Sequence, residues 1–241
     1  MKTPREIVTD IREWLSLPLL RIDLMHAATE KNDPFYGRVV LEFHRAARKR
    51  HARFPLIRAL ECGVAVCVLP PSFDEYVAAI EASARRNVKK AGRLGYEFRR
   101  IDYNQFLEDI AAIRRSTDER QGKMPGPFLK EEVQPCKDPA SRTEVHDYAY
   151  FGVLKEGRLR AYAGCLVSGE ACMIEQLYGH AAHQSDGIVP MLIVEVERYL
   201  LGHYPRVKYY VYGTYFGAGA TLRRFKRKFG FQPHRVEWKL G

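Results

Sequence analysis

The sequence of 241 residues lacks the features that would anchor it in a membrane, cross-link it or load it with a metal. It contains no apolar run of the roughly 18 residues that a membrane span needs. Near the N-terminus, Asp10, Arg12 and Glu13 interrupt the apolar positions, which is unlike a secretory signal. The five cysteines form an odd set without CxxC spacing, and His180 and Asp186 lack partners at metal-ligand spacing. We therefore expect a cytoplasmic protein with reduced thiols, no membrane span and no metal.

Acidic residues are fewer than basic ones, and this imbalance indicates the kind of partner that the protein can bind. The chain has 39 Lys and Arg against 29 Asp and Glu, which gives a formal net charge of +10. Such an excess favours an anionic partner such as RNA, a nucleotide cofactor or a membrane surface. A basic but merely solvated surface is the alternative.

The hydrophobic periodicity predicts an α/β protein with a mixed, mostly antiparallel sheet flanked by helices. Residues 1–70 are predicted as an N-terminal helical region with one strand, packed on a catalytic domain over residues 71–241. The predicted helices cover residues 3–15, 34–47, 72–92, 104–120, 187–201 and 219–229, with a loop over 121–141. The predicted strands cover residues 63–69, 96–101, 148–154, 158–167, 171–178, 206–212 and 231–240.

Three segments carry a family resemblance. Residues 84–96 (ARRNVKKAGRLGY) resemble an R-x-N-I-[RK]-K-A-x-x-x-G helix, and residues 117–120 (TDER) resemble a T-x-x-R element. Residues 222–230 (LRRFKRKFG) are similar to a Y-R-F-K-x-x-F-G signature. These are motifs of the Fem-type aminoacyltransferases, a branch of the GNAT superfamily of N-acyltransferases, and the order of elements from residue 96 onward is also the GNAT order. The resemblance implies the GNAT fold, acyltransferase activity and aminoacyl-tRNA as co-substrate, with no tightly bound cofactor.

Two departures from the family pattern affect the expected substrates. Fem enzymes of the cell wall carry two GNAT-like domains, whereas this chain has room for one, which argues against a large peptidoglycan precursor as acceptor. The glycine-rich pyrophosphate loop of acyl-CoA-dependent GNAT enzymes is also incomplete, because residues 183–189 (HQSDGIV) contain one glycine followed by β-branched residues. This departure favours tRNA over acyl-CoA as the donor.

Amide formation needs a deprotonated amine and stabilisation of a tetrahedral oxyanion. The family motif implies that Lys226 stabilises the oxyanion and that Phe225 shapes the pocket. Glu175 is the candidate general base, because GNAT enzymes often place a carboxylate on the equivalent strand, and Tyr212 is a candidate proton donor. The competing interpretations are a solvated helix face for Lys226, a surface charge or structural partner for Glu175, and packing for Tyr212.

Basic residues cluster on two predicted helices of the catalytic domain and at the end of one N-terminal helix. Spacings of one, three and four residues place much of the charge of the helix over 72–92 on one face. The candidates for binding the donor or its phosphates are Arg85, Arg86, Lys89, Lys90, Arg223, Arg224 and Arg227. Together with Arg45, Arg48, Lys49, Arg50 and Arg53, the helix over 72–92 is predicted to form a track for a tRNA acceptor stem.

The predicted function is therefore transfer of an aminoacyl group from aminoacyl-tRNA to an amine of a small molecule or peptide. One alternative keeps the fold but takes the acyl group from acyl-CoA or from an acyl carrier protein, whose acidic surface would suit the positive charge. A second alternative, from a different class, is a non-catalytic RNA-binding protein on the same fold.

Overall fold

The computed structural model describes residues 16–50, 58–119, 126, 129, 132–215 and 218–241. The strands are β1 Leu19–Asp23, β2 Cys62–Val68, β3 Glu97–Arg100, β4 His146–Lys155, β5 Arg158–Ser168, β6 Ala171–Gly179, β7 Tyr209–Thr214 and β8 Gln232–Lys239. The helices are α1 Pro34–Ala47, α2 Phe73–Ala79, α3 Ala82–Arg93, α4 Leu107–Arg115, α5 Ile188–His203 and α6 Ala220–Lys228.

All eight strands belong to one sheet in the order β1-β8-β2-β7-β6-β5-β4-β3. The pairs β1–β8 and β6–β7 are parallel, and the remaining neighbours are antiparallel. The parallel pair β6–β7 is joined through α5, which is the crossover connection that such a pair requires. The predicted α/β class with a mixed, mostly antiparallel sheet is thus confirmed. The edge strand β1 was not predicted.

The sheet is covered by helices on both faces. Along β2, Ala65 and Cys67 pack into a core with α2, α3, α5 and α6, which defines the first face. Val64 and Val66 point the opposite way and pack with α1, and α4 covers the same second face further along the sheet. Because β2 is buried on both faces, its sequence is a continuous apolar run rather than an alternating one.

Local capping explains where two of the helices begin. The side chain of Asp33 accepts from the backbone N–H of Tyr36, and Pro34 occupies the first turn of α1. The hydroxyl of Ser72 accepts from the N–H of Glu75 at the start of α2. Both starts agree with the sequence-based prediction.

The helix predicted over residues 72–92 is two helices, and this corrects the sequence-based prediction. The chain is extended at Ile80 (ψ 156°), between α2 and α3. One guanidinium nitrogen of Arg85, Nη1, donates to the carbonyls of Val77, Ala78 and Ile80, at 3.0, 3.1 and 2.6 Å, and so satisfies the carbonyl end of α2. No proline or glycine marks this break, which is why periodicity alone misses it.

Other boundaries shift by a few residues. The helix predicted over 104–120 begins with a 3-10 turn at Tyr103–Phe106 and continues as α4 only to Arg115. The strand predicted over 206–212 lies at Tyr209–Thr214. The predicted helix over 3–15 and most of the predicted loop over 121–141 lie outside the described residues. Within the described ranges, no helix combines the length and the apolar character needed to cross a bilayer.

Candidate active site

The sheet opens in its middle, between β6 and β7. These parallel strands pair only over Ala171–Met173 and Tyr209–Val211, although β6 continues to Gly179 and β7 to Thr214. Beyond this point, the β6 residues 175–178 are exposed or half-buried, which is unusual for the centre of an eight-stranded sheet. We call this gap between the diverging strands the β6–β7 cleft.

A bulge in each strand lies where the two strands part. In β6, Ile174 pairs with Cys165 and Gln176 pairs with Gly164, so Glu175 is the extra residue. In β7, Val211 and Thr214 pair with Val66 and Val64, so β7 carries one more residue than β2 at this point. The bulge in β7 disrupts its ladder of hydrogen bonds and frees backbone carbonyls for other donors.

Lys226 reaches those carbonyls from α6, on the first face of the sheet. Its side chain is buried, and its Nζ donates to the carbonyl oxygens of Tyr212 at 2.6 Å and Thr214 at 2.7 Å. The ammonium also lies 4.4 Å from the ring centroid of Tyr212. Burial lowers the pKa of Lys226 to about 8. A buried cation thus lies beside the divergent part of the cleft.

Phe225 and Tyr212 have packing roles in the structure. The ring of Phe225 lies 5.0 Å from that of Phe229 and packs against the core of the first face. Tyr212 holds Lys226 through both its carbonyl and its ring. The catalytic role of Tyr212 and the pocket-shaping role of Phe225 stay predictions.

Glu175 approaches the β6–β7 cleft from the second face. Its Oε2 accepts a hydrogen bond from the hydroxyl of Tyr148 at 2.8 Å. Desolvation raises the pKa of the Glu175 carboxyl, and the hydrogen bond from Tyr148 opposes that shift. Gly164, on the strand between them, has no side chain, and a Cβ there would lie 3.3 Å from the Tyr148 hydroxyl. Glu175 and Lys226 therefore flank the cleft from opposite faces, with no contact between them in the structure.

The segment that corresponds to the pyrophosphate loop of GNAT enzymes is closed against α3. Residues Ala181–Asp186 form a 3-10 helix, and Gly187 follows in a left-handed conformation (φ 88°). A Cβ on Gly187 would lie 2.4 Å from the carbonyl oxygen of Asn87, so glycine allows the two backbones to touch. Lys90 Nζ donates to the carbonyl of Ser185 at 2.7 Å.

The basic motif of α3 thus divides into two sets of residues. Arg85 and Lys90 donate to backbone carbonyls and stabilise the packing around α3. Arg86, Lys89 and Arg93 line an open depression of about 490 Å³ on the outer side of α3. None of these three forms an ion pair with another described residue.

Further positive charge lies on α6, which covers the same face of the sheet. The backbone N–H of Glu81, which precedes α3, donates to the carbonyl of Lys228 at the end of α6 at 3.0 Å. Arg224 is exposed and Arg223 half-buried, whereas the guanidinium of Arg227 donates to the Tyr215 hydroxyl at 3.0 and 3.2 Å. We call Arg86, Lys89, Arg93 and Arg224 the α3–α6 basic surface; it lies on the first face.

The structure places the two segments of the predicted basic track on opposite faces of the sheet. Arg45, Arg48, Lys49 and Arg50 follow from α1, which covers the second face of the sheet, whereas α3 covers the first face. Both segments are basic, but the eight-stranded sheet separates them. Arg53 lies outside the described residues.

Sequence reasoning missed the residues that shape the β6–β7 cleft through the backbone. Tyr148 holds Glu175, Gly164 makes room for that contact, and Thr214 accepts from Lys226. Of these residues, only Gly164 gave a signal in the sequence, as a glycine inside a predicted strand. Among the described residues, no group of three His, Cys, Asp or Glu side chains could hold a metal.

The fold of the chain is similar to that of FemX. The FemX structure aligns with a TM-score of 0.55 at 12% identity and covers 71% of this chain and 59% of its own. The structure of L-PGS from Bacillus licheniformis aligns with a TM-score of 0.47 at 14% identity, over 71% and 60%. A tandem GNAT protein from the clavulanic acid biosynthesis pathway aligns with a TM-score of 0.43 at 12% identity, over 71% and 50%.

The likeness to FemX confirms the predicted fold. The chain spans between half and three-fifths of the length of the three solved structures. No family model matches the sequence, and no curated protein does either.

Proposed function

We propose that this chain is an acyltransferase that moves an aminoacyl group from aminoacyl-tRNA to an amine of a small molecule or peptide. The observation that carries the proposal is the buried ammonium of Lys226 beside the β6–β7 cleft. An ammonium has three N–H donors, and the carbonyls of Tyr212 and Thr214 accept from two of them. The third can donate to an oxyanion that develops in the cleft.

The reaction follows from this arrangement. The nitrogen of the acceptor amine attacks the ester carbon of the aminoacyl group, and the negative charge that builds on the carbonyl oxygen is stabilised by Lys226. The C–O bond to the ribose then breaks, and a proton lost by the amine ends on the ribose hydroxyl. Glu175 is the proposed base for that proton, because a carboxyl whose pKa is raised accepts protons at a higher pH.

The closed loop before α5 supports tRNA over acyl-CoA as the donor. In GNAT enzymes that bind CoA, free backbone N–H groups of this loop contact the pyrophosphate. Here the 3-10 helix at Ala181–Asp186 turns N–H groups onto carbonyls of the same segment, and the N–H of Ala181 donates to the Ser116 hydroxyl. The close approach of the Gly187 and Asn87 backbones, at the position of the pyrophosphate loop of GNAT enzymes, also supports a donor other than acyl-CoA.

The α3–α6 basic surface supports an anionic macromolecule as the donor carrier. Its four charged side chains are exposed and lie on the face from which Lys226 enters the cleft. Lysine and arginine side chains on one face suit the phosphate backbone of an RNA helix, which proteins recognise by shape rather than by sequence.

The test compares donors. Purified protein is incubated with a pool of radiolabelled aminoacyl-tRNAs or with labelled acetyl-CoA, together with a broad mixture of amines and peptides. We expect label to reach an amine only from charged tRNA. Replacing Lys226 by methionine should lower the rate about 100-fold, which is typical for loss of one oxyanion donor, while affinity for tRNA stays within a factor of two.

The matched control is Lys228→Met, the same substitution two residues further along α6, which should keep the wild-type rate. Transfer from acetyl-CoA alone would overturn the tRNA proposal. If tRNA binds but no donor supports transfer, the chain is an RNA-binding protein on an acyltransferase fold. Full activity of the Lys226→Met variant would mean that the catalytic centre lies elsewhere.

The second candidate function is transfer from an acyl carrier protein. The α3–α6 basic surface favours it, because an acidic carrier would be attracted to the same charges as RNA. Adding an acyl carrier protein loaded with labelled acyl groups to the assay separates the two candidates.

A further inference from the structure

A second concentration of positive charge lies on the second face of the sheet, at the carbonyl end of α1. A depression of about 400 Å³ is lined by His44, Arg45, Arg48, Arg50 and Arg58, and we call it the arginine pocket. The last turn of α1 contributes His44 and Arg45, and Arg48 is the residue at which α1 ends.

Backbone pairing holds the two walls of the arginine pocket together. Arg50 and Arg58 form an antiparallel β-bridge, the N–H of Ala59 donates to the carbonyl of Lys49 at 2.8 Å, and that of Leu60 donates to Ala47 at 3.0 Å. Two arginines are thus placed directly opposite each other, an arrangement that like charges destabilise.

The local charge balance stays strongly positive. The Oε1 atom of Glu61 lies 3.1 Å from Arg58 Nη1 and 3.5 Å from Arg48 Nε, so one carboxylate serves two guanidinium groups. Arg45 and Arg50 form no ion pair with another described residue. The carbonyl end of α1 favours nearby cations and offsets part of their repulsion, but the pocket still holds four arginines against one carboxylate.

We propose that the arginine pocket is a binding site for the phosphate group of a small phosphorylated ligand, separate from the α3–α6 basic surface. Guanidinium groups bind phosphate oxygens through paired N–H donors, and an anion between Arg45, Arg48 and Arg50 would remove their mutual repulsion. Four arginines line one depression of about 400 Å³, so several guanidinium groups can contact the same phosphate group. The pocket also lies on the opposite face of the sheet from the proposed RNA contact.

Inorganic pyrophosphate is the probe for this site. Its binding is measured by calorimetry at low salt in a phosphate-free buffer, for the wild type and for an Arg45→Gln, Arg50→Gln double variant. Both arginines are exposed, so their replacement should leave the fold intact. We expect the double variant to bind pyrophosphate at least tenfold more weakly.

The matched control removes the same charge from the first face. An Arg86→Gln, Arg93→Gln variant on α3 should bind pyrophosphate within a factor of two of the wild type. Equal losses in the two double variants, or no measurable binding by the wild type, would overturn the proposal.

His44 provides a local reporter. Burial and the charge of Arg48 lower the pKa of its imidazole, while Glu61 and a hydrogen bond with the backbone of Trp238 act in the opposite direction, and His26 adds a small further lowering. A bound polyanion should raise the pKa of His44, which an NMR titration with and without pyrophosphate detects. An unchanged His44 titration at saturating pyrophosphate would place the anion elsewhere and refute the assignment.

Two further arms identify the source of the phosphate. If the arginine pocket binds a lipid headgroup, the wild type should sediment with phosphatidylglycerol vesicles and the Arg45→Gln, Arg50→Gln variant should not. If both stay in solution while pyrophosphate binding differs, the ligand is a soluble phosphate. A tenfold loss of RNA hairpin binding in this variant would instead make the pocket part of an RNA site and overturn the proposal. None of these readouts uses transfer activity, so the proposal of a phosphate site can be refuted or supported independently of the proposed reaction.

Discussion

The ammonium of Lys226 is held by two carbonyl oxygens and the ring of Tyr212, in a position where its charge depends on pH. Burial lowers its pKa to about 8, so the folded protein loses this charge as the pH rises through that value. If the charged form stabilises the oxyanion, the rate of transfer falls on the alkaline side with a midpoint near pH 8.

The pH dependence is tested with a Lys226→Arg variant. A guanidinium stays charged throughout this range. The variant's transfer rate, expressed as a fraction of its own maximum, should therefore begin to fall at a higher pH than that of the wild type. The measurement is the rate of amide formation between pH 6.5 and 10, corrected for hydrolysis of the ester. Identical alkaline limbs in the two proteins would show that Lys226 is not the titrating group.

Glu197 on α5 is a buried carboxylic acid in the core of the first face. Both of its oxygens are buried and have no hydrogen-bond partner among the described residues. Burial raises its pKa from 4.5 to about 8, while nearby Arg198 acts against that shift. At neutral pH the group is therefore protonated when folded and ionised when unfolded, which lowers the free energy of unfolding as the pH rises from 4.5 to 8.

A Glu197→Met substitution should remove that penalty. We expect the variant to gain roughly 3 kcal/mol over the wild type at pH 7, and much less at pH 4.5. Urea unfolding at both pH values measures the difference. Glu195→Met is the comparison: burial raises the pKa of Glu195 as well, but Arg198 at 3.4 Å opposes that shift, so its loss should bring a smaller gain. A gain that is the same at both pH values would contradict the titration of Glu197.

At the scale of elements, the structure gives a physical reason for part of the motif in α3. Asn87 contacts Gly187 through its backbone, Lys90 donates to the loop before α5, and Arg85 caps α2. These motif residues hold three elements together on the first face. Of the donor-binding residues predicted on this helix, Arg86 and Lys89 are the two that face outward and are not used in these packing contacts.

A Gly187→Ala substitution tests how tightly the loop and α3 are joined. Alanine at this position would need φ near +88° and would place its Cβ 2.4 Å from the Asn87 carbonyl oxygen, which is backbone and cannot rotate away. We expect a loss of roughly 2–3 kcal/mol in the free energy of unfolding. Thermal or urea unfolding provides the measurement.

Gly92→Ala is the control within α3. A Cβ at Gly92 would meet no atom within 4 Å, and alanine favours a helix interior over glycine by about 1 kcal/mol. This variant should therefore be slightly more stable than the wild type. If Gly187→Ala were as stable as Gly92→Ala, the close approach of the loop to α3 would be refuted.

At the scale of the whole molecule, the sequence predicts most elements but not how they are brought together. Strands β4 to β6 are apolar runs joined by tight turns, so each can be predicted from its own sequence. The insertion of β2 between β7 and β8 depends on contacts between residues more than 140 positions apart, so no local sequence pattern predicts it. The same limit applies to the candidate site. Lys226 lies in a motif that the sequence shows, whereas no sequence motif marks the bulges that expose the carbonyls of β7.

The position of β2 bears on the predicted division into residues 1–70 and 71–241, which stays a prediction. β2 is paired on both edges, by β7 and β8, and its residues Val64, Ala65, Val66 and Cys67 are buried. A fragment of residues 71–241 would lose the strand that joins β8 to the rest of the sheet. Apolar surface on both faces of the sheet would then be exposed to water.

We therefore expect the fragment of residues 71–241 to show no cooperative thermal unfolding, while residues 16–241, which keep all eight described strands, unfold in one transition. Circular dichroism at 222 nm and the dispersion of amide signals in an NMR spectrum measure this. A fragment of residues 71–241 that folds cooperatively would mean that β7 and β8 can pair or stay apart without β2, and that residues 1–70 are an appendage. Failure of both fragments would instead assign an essential contact to residues 1–15, because those are all that the longer fragment lacks. The predicted outcome would mean that the centre of the sheet, and with it the β6–β7 cleft, forms only when residues from both sides of position 71 are present.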